Sequence, residues 1–93
     1  MLWSEGQIVT SKQGRDKGKH YIIIKTEDKC CYVADGRKAK ATKPKKKNYK
    51  HLQGTLCQIA EISEITAQGD LPSDEKLRDF LNKYWPENGV KEE

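Results

Sequence analysis

No apolar run in the chain approaches the roughly 18 residues that a membrane-spanning helix needs. The first six residues have neither the basic head nor the apolar stretch of a secretory leader, so the expected location is cytoplasmic. Cysteine is sparse and in odd number: Cys30 and Cys31 are adjacent, Cys57 stands alone, and no CxxC spacing occurs. Neighbouring strand residues point to opposite faces, which argues against a shared tetrahedral metal site, and only His20 and His51 remain to complete one. The thiols are expected to act as small hydrophobes, with no metal and no cofactor. The chain also lacks a phosphate-loop signature and any evident nucleophile–base pair, so no catalytic residue is assigned. No helix rich in Arg and Asn is available to read a DNA major groove.

What the 93 residues do contain is segregated charge. Residues 1–53 carry 14 Lys or Arg against 5 Asp or Glu, whereas residues 54–93 carry 4 against 9. The overall charge of +4 thus hides a basic half of +9 and an acidic half of −5. Such a division separates a polyanion-binding surface from its support.

The basic half reads as short strands. Residues 7–11 and 20–26 are β-branched or aromatic runs, the second with both faces expected to be covered. Residues 29–34 form a third strand, and Asp35-Gly36 signals a tight hairpin turn into a fourth over residues 37–41. Pro44 interrupts pairing, so the lysines around it are expected in an exposed loop, with a fifth short strand over 49–52. Short strands at this spacing suggest a small barrel.

After Gly54 the apolar period lengthens. Leu56, Ile59, Ile62 and Ile65 recur every three residues, which predicts a helix over 56–65 ended by Gly69. Ser73-Asp74-Glu75 caps a second helix over 74–85, whose stripe Leu77, Phe80, Leu81, Tyr84 and Trp85 is expected to cover the core. Pro86 stops it. The division expected is a barrel over 1–53, a helical extension over 54–88 packed on it, and a disordered tail over 89–93.

Two basic features are suited to phosphate. In Gly14-Arg15-Asp16-Lys17-Gly18-Lys19, Gly14 and Gly18 allow close backbone approach, and exposed N–H groups there can bond phosphate oxygens. Arg15 offers a fork, Lys17 and Lys19 offer point charges, and Asp16 is expected to fix the turn or orient Arg15. Lys12, Lys43, Lys45, Lys46, Lys47 and Lys50 extend the basic surface. Asn48 is suited to base or ribose hydrogen bonds, and Tyr49 and His51 either to stacking on an unpaired base or to structural roles in the sheet.

The order Gly6-Gln7-Ile8-Val9, the basic glycine turn, then Ile22-Ile23-Ile24 resembles the KOW motif, the RNA-binding element of several ribosomal proteins and transcription factors. Val33-Ala34-Asp35-Gly36, Pro44-Lys45-Lys46-Lys47-Asn48 and Lys50-His51-Leu52 are similar to the branch related to the fourteenth large-subunit ribosomal protein of archaea and eukaryotes. The resemblance covers about half the chain. A further glycine of many KOW motifs is replaced here by His20 or Tyr21.

The resemblance implies a barrel of the SH3-like KOW type, so the fold expected is mainly β, a five-stranded barrel packed by the one or two short C-terminal helices read above. It also implies association with ribosomal or other structured RNA. The expectation for the chain is a non-catalytic RNA-binding module, with ribosomal RNA as first partner, ribosomal proteins as further partners and a monomer favoured over an oligomer. The competing expectation is a protein–protein adaptor that uses the barrel and the aromatic face of the second helix.

Overall fold

The run His-Tyr-Ile-Ile-Ile-Lys-Thr lies at the centre of a five-stranded antiparallel sheet. A computed structural model of the chain describes residues 3–84. Its strands are β1 (Gln7–Ser11), β2 (His20–Thr26), β3 (Cys30–Ala34), β4 (Lys45–Asn48) and β5 (Leu52–Gln58), in the spatial order β4-β3-β2-β1-β5. Helices α1 (Ala60–Ala67) and α2 (Asp74–Tyr84) follow. The fold is therefore mainly β with C-terminal helices. None of the described helices is long and apolar enough to cross a membrane.

Alternation along β2 divides its side chains between two apolar clusters. Ile22 and Ile24 join Ile8, Ala34, Ile59, Ile62, Leu77 and Leu81 under the helices. Tyr21 and Ile23 join Val9, Cys31, Val33, Ala39 and Leu52, with Trp3 and Tyr49 packed alongside. Both faces of the central strand are thus covered, as its composition predicts. Among the described residues none from α1 or α2 belongs to the second cluster, whose members come from the sheet and its loops.

The connection between β4 and β5 bears on the shape of the sheet. These strands are the two edges of the sheet, yet only the 3-10 turn Tyr49–His51 separates them. Such a turn rises about 2 Å per residue, whereas four strand spacings in a flat sheet cover about 19 Å. The sheet is therefore curled until its edges lie within reach of one short turn. Backbone bonds hold that turn to both neighbours: Lys12 N–H donates to His51 O at 2.8 Å, and Tyr49 N–H to Lys29 O at 3.3 Å.

Three expectations for local structure are corrected. Residues 37–41 are not a strand; they belong to a compact connection in which Asp35 and Gly36 N–H both donate to Ala39 O, at 2.9 and 3.0 Å. The lysines after Pro44 are not an exposed loop but β4, paired with β3 in the register Cys31↔Lys47 and Val33↔Lys45. An open β3 edge would leave backbone donors and acceptors unmatched, and a lysine-rich edge strand satisfies them while discouraging further pairing. Proline at the entry to an edge strand costs no ladder bond. Residues 49–51 form the 3-10 turn rather than a fifth strand.

The helix expected over 56–65 begins only at Ala60, because residues 52–58 pair with β1 as β5. Leu56 consequently lies on a strand and fully exposed. Pairing with an existing strand outweighs a weak helical period in so short a segment. The C-terminus of α1 falls where Gly69 places it: Gly69 N–H bonds Thr66 O at 3.0 Å and Asp70 N–H bonds Ile65 O at 3.1 Å, a Schellman closure.

Helix α2 starts where the cap predicts, with Lys76 N–H donating to Ser73 Oγ at 3.1 Å. Leu77 and Leu81 enter the first cluster, whereas Tyr84 is exposed. Strand β5 runs across the boundary expected at 53/54. The expectations for Trp85, Pro86 and the tail lie outside the described residues.

Candidate nucleic-acid interface

The basic glycine turn connects β1 to β2, and its conformation depends on its two glycines. Gly14 and Gly18 have φ of +85° and +91°, a region that side-chain-bearing residues enter at a cost. Lys17 N–H bonds Gly14 O at 3.2 Å, Gly18 N–H bonds Ser11 O at 2.8 Å, and Lys19 N–H bonds Asp16 O at 2.9 Å. Three of the N–H groups expected to face a phosphate are therefore turned inward. Exposed cationic side chains, more than backbone N–H groups, are what the turn presents outward.

Asp16 is the hub of the turn. It is buried, and its Oδ1 accepts from Ser11 Oγ at 2.8 Å while Oδ2 accepts from Tyr21 Oη at 2.8 Å. Both of its ion-pair partners come from β4, Lys47 Nζ at 2.8 Å and Lys45 Nζ at 3.4 Å. Burial alone would raise the Asp16 pKa, but the bonds from Lys47, Tyr21 and Ser11 outweigh it and hold the carboxyl well below the usual carboxylate range. Burial, then the Asp16 bond, pushes the Tyr21 phenol upward. Asp16 therefore stays ionised and Tyr21 protonated across the neutral range. Fixing the turn is the role the geometry gives Asp16; Lys45 and Lys47, rather than Arg15, are the cations it orients.

These contacts place the turn against β4. Between them lies a groove of about 350 Å³ lined by Gly14, Arg15, Asp16, Lys19, Tyr21, Asp35, Lys38, Lys45 and Lys47. Five cations from three chain segments thus face two carboxylates. Both carboxylates are already bonded within the protein: Asp35 Oδ1 accepts from the N–H groups of Arg37 and Ala39 at 2.9 and 3.1 Å. The groove presents surplus positive charge on a shaped surface. Lys38 belongs to the lysine-dense stretch over residues 37–51 but is not among the contact residues assigned from it. It sits two positions beyond Gly36, inside the segment expected to be a strand, and only the folded connection turns it toward the groove.

The remaining candidates divide around this groove. Lys12, Arg15, Lys17, Lys19, Lys43, Lys45, Lys46 and Lys50 are exposed, and Lys47 is half-buried. Lys45 and Lys47 pair with Val33 and Cys31 of the second cluster, so they lie on the groove side of β4. Lys46 pairs with Tyr32 and faces the other side. Lys43 lines a different groove with Tyr32, and Lys12, Lys17 and Lys50 line neither.

Asn48, Tyr49 and His51 are more structural than the pattern suggests. Asn48 Oδ1 accepts from Lys50 N–H at 3.0 Å and so caps the 3-10 turn. Tyr49 stacks on Trp3 with ring centroids 5.0 Å apart, and its hydroxyl donates to Glu27 O at 2.7 Å. The ring therefore closes the second cluster at its rim rather than standing open to a base. His51 is half-buried and accepts the Lys12 bond through its carbonyl. Among the cysteines, Cys31 lies in the core, where burial pushes its thiol up to about 12, and Cys30 faces Glu27.

The Asp35-Gly36 turn has a second role that its sequence conceals. Gly36 has φ +78°, and a Cβ there would stand 2.3 Å from Asp74 O and 2.9 Å from Arg78 Cγ. Arg78 donates to Gly36 O at 2.7 Å, and Asp74 Oδ1 accepts from Ala41 N–H at 2.8 Å. The start of α2 is thereby fastened to the connection that carries Lys38. Asp35 itself has negative φ, so the two-residue primed hairpin turn is replaced by this longer, side-chain-capped loop.

No family model matches the chain, and a search of curated proteins returns no match.

Proposed function

We propose that the chain is a non-catalytic RNA-binding module that holds an RNA phosphate backbone in the groove between the glycine turn and β4. The observation that carries this reading is the convergence of Arg15, Lys19, Lys38, Lys45 and Lys47 on one surface with its carboxylates already bonded. Arginine offers a bidentate fork and the lysines mobile charges, a combination suited to phosphate. Electrostatics alone selects a polyanion; the KOW resemblance of residues 6–52 selects RNA, with ribosomal or translation-linked RNA in the cytoplasm as the setting.

We further read the curled sheet as an SH3-like barrel of KOW type. Supporting this is the single 3-10 turn that joins the two sheet edges. Of the two residues near the place of the motif's further glycine, His20 and Tyr21, the second supplies the hydroxyl that bonds Asp16. The adaptor alternative retains less surface than its sequence suggests, because Leu77 and Leu81 are core residues. Among the described residues of that face, Phe80 and Tyr84 remain, stacked at 6.2 Å.

The test is RNA binding by a variant with Arg15, Lys19, Lys38 and Lys45 changed to Ala, measured across a salt series. Removing a cation that neutralises one phosphate should flatten the log–log salt slope by about 0.7 to 0.9. An unchanged slope and affinity would remove the groove from the interface.

A further inference from the structure

Strand β4 separates two surfaces, and two of the RNA candidates missing from the phosphate groove, Lys43 and Lys46, lie on the other one. A larger groove of about 1010 Å³ lies between the C-terminal half of α1, the end of β2, the middle of β3 and residues 41–44. Its floor is apolar, with Ile24, Tyr32, Ala41 and Pro44, and Leu71 on its wall is 51% exposed. Lys25 and Lys43 line it, and Lys46 pairs across the strand with Tyr32.

The aromatic ring is the distinguishing element. Lys25 Nζ stands 5.8 Å from the Tyr32 ring centroid, so the ring already accepts a cation. Lys25 is 66% exposed, and its nearest carboxylate, Glu27, is 3.9 Å away. Exposed, loosely paired lysines move at little cost. A base stacking on Tyr32 would displace Lys25 from the ring and leave its ammonium beside the phosphate that follows. The groove carboxylates do not oppose this equally: Glu5 Oε2 already accepts from Thr26 N–H at 3.1 Å and from Thr26 Oγ1 at 2.9 Å, whereas Asp70 faces the groove from beyond α1.

We propose that this groove receives an unpaired base of the RNA, stacked on Tyr32, while Lys43 and Lys46 hold its flanking phosphates. The proposal rests on the phosphate-groove reading and extends it. One strand would pass over the β4 edge, meeting Lys45 and Lys47 on one side and Lys46 on the other. Aromatic rings give stacking energy to any base, while lysines track the backbone. A duplex would fill only the first groove; a bulge or loop would fill both.

The experiment compares two RNA hairpins of the same paired sequence, one fully paired and one carrying a single bulged adenosine, binding to the full chain. The bulged hairpin should bind about tenfold more tightly, within the range of base–aromatic stacking. Tyr32→Leu, which keeps apolar volume, and Ala67→Phe, which fills the groove from an exposed helix position, should each abolish that preference. Neither should change binding of the paired hairpin. The Arg15, Lys19, Lys38 and Lys45 variant should weaken both hairpins and keep their ratio. Equal wild-type affinity for the two hairpins, or a preference that survives both groove variants, overturns the base pocket and leaves phosphate binding intact. Failure of both hairpins to bind overturns both readings together.

Discussion

Lys47 of β4 and Asp16 of the β1–β2 turn meet at 2.8 Å, and this contact joins the two basic features of the chain into one surface. Lys45 adds a second contact to the same carboxylate oxygen at 3.4 Å. Without Asp16 the turn and the edge strand would be separate patches of like charge. With it, the cations of the turn and of β4 are brought close, while Lys45 and Lys47 are partly compensated.

Replacing Asp16 by Asn should therefore destabilise the protein, by about 1–3 kcal/mol, because buried bonds to a charged group are removed. Urea titration measures this. The pH dependence carries the sign: a carboxyl lowered from 3.8 on folding contributes stability above about pH 4 that disappears as pH falls toward its folded value. Wild-type stability should fall steeply below pH 4, and D16N should show a shallower fall.

Lys46 and Lys47 are adjacent but should behave differently. Lys47→Ala removes a half-buried partner of Asp16 and should lower both stability and the affinity for paired RNA. Lys46→Ala should leave stability within about 0.5 kcal/mol of wild type, as surface substitutions do. Urea midpoints and fluorescence anisotropy with a paired hairpin separate the two residues. Equal loss of stability in both would contradict the placement of Lys47 on the Asp16 side.

Two glycine substitutions should rank in a definite order. Gly18→Ala meets no atom within 4 Å and carries only the strain of φ +91°, about 1–2 kcal/mol. Gly36→Ala adds a collision with Asp74 O on top of φ +78°, and should cost more than Gly18→Ala by displacing the start of α2. Thermal unfolding gives the order, and loss of near-ultraviolet dichroism would report the loosened helix.

Tyr49→Phe should lose about 0.5–1.5 kcal/mol through its hydroxyl bond to Glu27 O and leave RNA affinity unchanged. A fall in affinity at unchanged stability would instead make Tyr49 a contact residue.

How much of this was legible in the sequence depended on range. β1 and β2 were readable because uninterrupted β-branched runs have few competing structures, and the cap at Ser73 and the stop at Gly69 are local chemistry. β4 was not readable: a lysine run after proline resembles a solvated loop until β3 presents an edge for it to pair. β5 lost its local helical period to pairing with β1. In the candidate site, the glycine turn and the lysines were legible by charge. Their division across β4, the inward role of Tyr49 and the contribution of Lys38 follow from strand register and loop folding, which charge does not encode.

The most direct measurement of the central claim is a titration of isotope-labelled protein with a short paired RNA, followed by amide chemical shifts. The account predicts the largest changes at residues 14–19, at Lys38 and along Lys45–Asn48, with the α2 face around Phe80 and Tyr84 unmoved. Largest changes on that α2 face, or none anywhere at saturating RNA, would contradict it.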